Sequence, residues 1–183
     1  IHVVDFFLDM VVAHGRSLRW FTTVGNHRKD RLRKMVTNPG ALITFSDAGA
    51  HIRNMAFYTL PLRFLKLVHE SHGEGESVMS LERAVHRLTG EQADWLGVDA
   101  GHIRKGDRAD ITVLDPRGLD QDLEQVEWAE MENFGLERMV NRVPGCIREV
   151  LINGRPAVTD GEVEAALGRE PGYGHFLRAG ASG

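Results

Sequence analysis

The chain has 183 residues, of which 42% are hydrophobic and 26% charged, and a formal net charge of -4. That is the make-up of a globular protein long enough for one or two cores, and its weak negative balance argues against a nucleic-acid or anionic-membrane surface as the partner. No uninterrupted apolar run is long enough to cross a bilayer. The single cysteine, Cys146, excludes an internal disulfide and suits a reducing, cytoplasmic setting.

The chain opens on Ile1-His2-Val3-Val4-Asp5-Phe6-Phe7-Leu8, with no polar lead-in. Residues 3–12 are almost all apolar, and Asp5 and Asp9 stand four apart on one face, which predicts a buried helix with a narrow wet stripe. A start inside such a helix leads us to expect further sequence upstream in the intact protein. His14-Gly15 predicts the stop of that helix. Residues 18–24 are β-prone. Asn26 is placed to cap a helix over 27–37, which Asn38-Pro39-Gly40 breaks. The run Ala41-Leu42-Ile43-Thr44-Phe45 predicts a strand covered on both faces, and a long helix follows over about 55–71, with Leu62, Leu65 and Val68 on its inner face. Helix, strand, helix, strand, helix in alternation implies parallel strands with crossover helices.

His72-Gly73-Glu74-Gly75-Glu76 reads as a flexible, acidic break. Ser80 caps a helix ending at Leu88, and Thr89 is expected to cap a shorter one ending at Leu96-Gly97. The period then changes. Residues 109–114 and 147–152 read as strands, Asn153-Gly154 as a hairpin turn and 156–159 as the return strand. Between them, residues 119–132 are acidic and irregular, and we read them as a solvated face or loop in preference to a cation site. The tail from Gly168 is glycine-rich and is expected to pack loosely. There is no internal repeat.

The strongest site signal is Asp47. It follows directly on a predicted buried strand and opens a loop of small residues, and in parallel α/β folds the carboxyl ends of strands converge on the working cleft. From the residues alone, an aspartate there could bind a metal, accept a proton or cap the next helix. His51, four residues on, could reach the same cleft as a substrate-binding group or could serve as a loop residue. None of the nine histidines forms His-x-His. His69 and His72 can share a helix face but have no third ligand nearby. No nucleophile elbow, phosphate loop or dinucleotide fingerprint is present, and Cys146, beside Pro144-Gly145, reads as a packing residue.

Several of these segments together resemble one family. Ser46-Asp47-Ala48-Gly49-Ala50-His51 resembles the end of the eighth barrel strand in the amidohydrolase superfamily. Thr89 to Leu96-Gly97 is similar to that superfamily's helix after the barrel, usually Thr-x-x-Pro-Ala-x-x-Leu-Gly, with Gln92 here in place of the proline. Gly101-His102-Ile103-Arg104-Lys105-Gly106-Asp107-Arg108-Ala109-Asp110-Ile111-Thr112-Val113 resembles its return segment into a small β domain, and Pro144-Gly145-Cys146-Ile147 with Val150-Leu151-Ile152-Asn153-Gly154 resembles the later strand pair. Gly172-Tyr173-Gly174-His175-Phe176-Leu177-Arg178 resembles the ending of the N-acyl-D-amino-acid deacylase (D-aminoacylase) branch.

The resemblance implies an α/β fold: the last strands and helices of a (β/α)₈ TIM barrel over residues 1–72, connecting helices over 73–97, and a small antiparallel β domain with its tail over 98–183. It implies that the intact protein hydrolyses a carbon–nitrogen bond other than a peptide bond, most plainly the amide of a small-molecule N-acyl amino acid, with no nucleic acid or membrane as partner. Zinc or a similar divalent metal would lower the pKa of bound water to about 7, and Asp47 would orient that water, take its proton and pass it to the departing nitrogen, with a place for Asp47 among the metal ligands. Family members also carry His-x-His, a bridging lysine, glutamate or cysteine, and two further histidines. No residue here matches those positions, so this chain alone is expected to be inactive, to hold no metal stably, and to associate with itself or with a missing N-terminal part. Two alternatives stay open: a non-catalytic binding or assembly relative without a metal site, and a cyclic-amidase or deaminase-type amidohydrolase.

Overall fold

A computed structural model describes residues 2–20, 25–44 and 57–180. They fall into two compact units, Ile1–Val36 and Thr37–Gly183.

In the first unit, helix α1 (Val3–His14) forms where the apolar run predicts it. His2 caps it, its Nδ1 accepting from the Val4 amide at 3.3 Å. Gly15 ends it at φ 51°, donating to the Val11 carbonyl. The expectation of burial is corrected for this chain: no residue of α1 is buried, and Val3, Val12 and Leu8 stand 80%, 86% and 53% exposed. Phe7 meets Trp20 edge to face at 5.4 Å. Helix α2 (Lys29–Thr37) starts later than its cap signal. The Leu32 amide donates to the Arg28 carbonyl at 2.9 Å, so the helical bonds begin two residues beyond Asn26, which sits at φ 60°.

The two parallel strands predicted over 18–24 and 41–46 are not seen as strands in their described parts, 18–20 and 41–44, and the remainder of each lies outside the described residues. A parallel strand takes its ladder from neighbours on both sides, and a barrel closes only with eight.

In the second unit, a 3₁₀ turn at Phe57–Thr59 leads into α3 (Leu60–Gly73), which starts later than the predicted 55–71. Pro61 occupies its first turn, where a missing N–H costs nothing. Leu65 and Val68 are buried as expected, with Phe64 and Ser71 beside them, while Leu62 is half-buried. Helix α3 packs against α4 (Leu81–Leu88), and α4 against α5 (Gly90–Leu96). Ser80 caps α4, its Oγ accepting from the Arg83 amide at 3.2 Å. Thr89 does not cap α5 with its side chain: its hydroxyl donates backwards to the Val85 carbonyl at 2.9 Å, a competing bond open to threonine at a helix end. Gly97 closes α5 in the left-handed region.

Six strands follow: β1 (Ile111–Leu114), β2 (Glu127–Met131), β3 (Leu136–Val140), β4 (Ile147–Ile152), β5 (Arg155–Thr159) and β6 (Glu162–Val163). One antiparallel sheet runs β1-β4-β5-β6, with Ile111 opposite Leu151 and Val150 opposite Val158. The predicted hairpin turn is present, Asn153 and Gly154 both at positive φ of 54° and 76°, the pairing that joins two twisted strands most tightly. A second hairpin, β2 against β3, corrects the loop expected over 119–132, with Trp128 opposite Met139. The tail is also better packed than its glycines suggested: Tyr173 is buried, and Arg155 lies over its ring at 4.1 Å while pairing with Glu170. Leu119, Leu123, Val140, Cys146 and Ala157 are buried in the β region. Gly118 lets the 116–120 turn close on the Cys146 backbone, where an added Cβ would stand 2.5 Å from Cα.

Candidate functional site

Asp47 and His51, the residues to which the sequence assigns chemistry, lie outside the described residues. What the structure does describe is the backbone leading into them and the side chains that hold it.

Asn38-Pro39-Gly40 turns the chain, the Asn38 Oδ1 accepting from the Gly40 amide at 2.9 Å. Residues 41–44 then run past α4 and α5. Arg87, on the buried face of α4 three residues after Ala84, is 1% exposed. Its Nη2 donates to the Asn38 carbonyl at 3.1 Å and to the Ala41 carbonyl. Gln92, on α5, donates from Nε2 to the Ile43 carbonyl and to the Arg87 carbonyl at 3.2 Å. Glu91 balances the charge, with its carboxylate oxygens 3.2 Å from Arg87 Nε and 2.5 Å from Arg83 Nη2. These are charge pairings at close range without the alignment of hydrogen bonds. A guanidinium this buried is tolerable only when paired and hydrogen-bonded.

Further along the chain, α3 is tied to the acidic stretch. The Thr59 hydroxyl donates to the Leu123 carbonyl at 3.2 Å, and Lys66 donates to the Leu119 carbonyl at 2.7 Å while standing 3.1 Å from Glu70. Arg63 pairs with Glu124 at 2.6 Å, and His69 lies 3.6 Å from Asp120. Two acids of the run, Asp120 and Glu124, are thus matched to the basic side of α3.

The remaining titratable cluster sits on the α4–α5 hairpin. His102 meets Asp94 at 2.9 Å, His86 meets Arg83 at 2.9 Å, and the two imidazole rings are 6.2 Å apart. The His102 hydrogen bond holds the Asp94 carboxyl below its ordinary value. No nucleophile accompanies them. Cys146 is fully buried, and burial, then the charge of Asp115, push its thiol up, so it is a packing residue. His69 and His72 gather no third ligand, and among the described residues no group of three or more His, Cys, Asp or Glu side chains could hold a metal ion. The described residues therefore do not form a metal centre by themselves.

The sequence does not single out Arg87 or Gln92 as holding this backbone. A signal for the first was present: an arginine three residues after an alanine on the apolar side of a short helix breaks the amphipathic pattern. Gln92 was noted only as a departure from Thr-x-x-Pro-Ala. It makes a side-chain hydrogen bond that proline has no donor to make.

Comparison with known proteins places these features. The model of a family described as the amidohydrolase family matches residues 6–158. An uncharacterized protein of Mycobacterium bovis and uncharacterized proteins of two Mycobacterium tuberculosis strains are each 42% identical over 189 aligned residues, covering 100% of this chain. The chain spans 31% of the length of these curated relatives. No solved structure matches.

Proposed function

Because this chain belongs to the amidohydrolase family, we propose that it supplies the Asp47-bearing part of a metal-dependent amidohydrolase that cleaves the amide of N-acyl amino acids. The observation that carries the proposal is the extent of the family match: residues 6–158 take in Ser46-Asp47-Ala48-Gly49-Ala50-His51, the connecting helices and the β1–β4–β5 sheet. The division proposed with it is the end of a (β/α)₈ barrel over 1–72, connecting helices over 73–97, and the small β domain over 98–183. The D-aminoacylase branch, and with it the choice of substrate, rests on the resemblance of the Gly172–Arg178 ending.

In this proposal Asp47 is the general base. It accepts a proton from the attacking water as the water oxygen bonds to the amide carbon. It then returns that proton to the nitrogen as the carbon–nitrogen bond breaks, so that acid and amine are released with no net proton change on the enzyme. His51 would contact the substrate. Zinc or a similar divalent ion, on ligands from beyond the described residues, completes the proposal.

The test is steady-state hydrolysis of N-acyl-D- and N-acyl-L-amino acids by the whole protein, metal-loaded, against Asp47→Asn. Asparagine keeps the shape and still caps a helix, but accepts no proton from water. Turnover is expected to fall by at least about 10²-fold, more than KM changes, with the melting temperature preserved. Turnover within a few-fold of the parent would mean that Asp47 is a cap. No hydrolysis of any carbon–nitrogen bond by the parent would favour a binding or assembly role.

A further inference from the structure

We infer that Arg87 and Gln92 are positioning residues that set the backbone leading into Asp47; the inference rests on Asp47 being the catalytic aspartate. Three carbonyls on one approach, those of Asn38, Ala41 and Ile43, are taken by two side chains of the α4–α5 hairpin. Arg87 and Gln92 thus hold the backbone of the 41–43 segment at two alternate carbonyls with side-chain donors. A slip of one residue would take the Ala41 and Ile43 carbonyls off these two donors, so the hairpin specifies the register of the segment.

The clamp is anchored at several points. Arg87 is 1% exposed and therefore confined by packing. Glu91 neutralises it and ties it to Arg83, one turn earlier on α4. Gln92 also holds the Arg87 carbonyl, linking α5 to the end of α4. Asp47 follows Thr44 by three residues, about 10 Å of chain even at full extension, so a shift in the clamped segment enters the chain close to it. General-base catalysis is sensitive to that: a misplacement of about 1 Å can cost about 10²-fold.

Arg87→Met would remove a buried charge that Glu91 faces and risks unfolding, so the decisive variants are at Gln92, in the whole protein. Gln92→Met keeps the length and removes the donor; Gln92→Lys keeps a donor that can reach the Ile43 carbonyl. Three readouts are taken: kcat and KM on N-acyl amino acids, thermal melts, and amide exchange by mass spectrometry on peptides covering 38–44. We expect Gln92→Met to lower kcat about tenfold with KM within about twofold, and to speed exchange over 38–44. Gln92→Lys should recover most of both. Unchanged kcat and exchange in Gln92→Met overturns the inference. So does an equal loss in Met and Lys that tracks the melting temperature, because that is a purely structural effect. If the parent hydrolyses nothing, or Asp47→Asn is fully active, the proposed function fails by itself. Exchange over 38–44 then decides the clamp: faster in Met but not in Lys upholds it, and no difference overturns it.

Discussion

Asp110 shows how one carboxylate can organise a turn distant in sequence. Its Oδ1 accepts from the Asn153 amide at 2.7 Å and its Oδ2 from Arg108 Nε at 2.7 Å, while the Gly154 amide reaches the Ala109 carbonyl at 2.8 Å. Burial works against the charge, but the Asn153 N–H and Arg108 outweigh it and hold the carboxyl below its ordinary 3.8. A carboxyl depressed in the folded state stabilises the fold above its unfolded value, and that stability is lost as pH falls through the folded one. Asp110→Ala should therefore melt a few degrees lower than wild type at pH 7, about the effect of one lost charge-assisted bond. The gap should close as pH drops below 3.8; a pH-independent gap in circular-dichroism melts would refute the linkage. None of this was legible in the sequence. Asp110 could be marked as part of a resembling segment, but the Asn153 amide that it anchors lies 43 residues away. Arg87 and Gln92 hid for the same reason, their acceptors being backbone 46 to 49 residues distant. Asp47 and His51 were legible as candidates through position and resemblance, and their geometry lies outside the described residues.

Helix elements were legible wherever the signal was local. The apolar run and Gly15 marked α1, Ser80 marked the start of α4, and Asn153-Gly154 marked the β4–β5 turn, because cap, period and turn chemistry act within a few residues. The β2–β3 hairpin was missed because Glu127, Glu130, Glu132 and Glu137 made its strands look like solvated loop, and its connection, Glu132–Phe134 then Gly135 at φ 57°, is no two-residue turn. Thr89 was misassigned because its hydroxyl has two uses at a helix end, and sequence does not choose between them. This gives a paired prediction: Ser80→Ala should cost about 1 kcal/mol, the usual effect of a lost cap. Thr89→Ala, at an exposed position, should stay within about 0.5 kcal/mol. Urea titrations of the two variants check it, and equal losses would contradict the assignment of caps.

At the scale of the molecule, the 183-residue chain leaves an apolar helix face in water. Val4 and Leu8, one turn apart on α1, are 55% and 53% exposed, together with Phe6 and Val12, and contiguous apolar surface of this kind favours association. The isolated chain is expected to self-associate, its sedimentation coefficient rising with concentration. A Val4→Lys/Leu8→Lys double variant should sediment as a smaller species. A wild-type chain that stays monomeric at high concentration would show that α1 is tolerated bare. Among the described residues no helix is long and apolar enough to cross a membrane. The close seat of Cys146 under Gly118 has a practical corollary. The chain has a single thiol, and because Cys146 is fully buried an alkylating reagent can reach it only when the surrounding β region opens. If that opening costs about 4 kcal/mol, labelling in native buffer will run about 10³-fold slower than in denaturant. The molecule thus carries its own clock for the opening of its β-rich half, read by mass spectrometry as one added label.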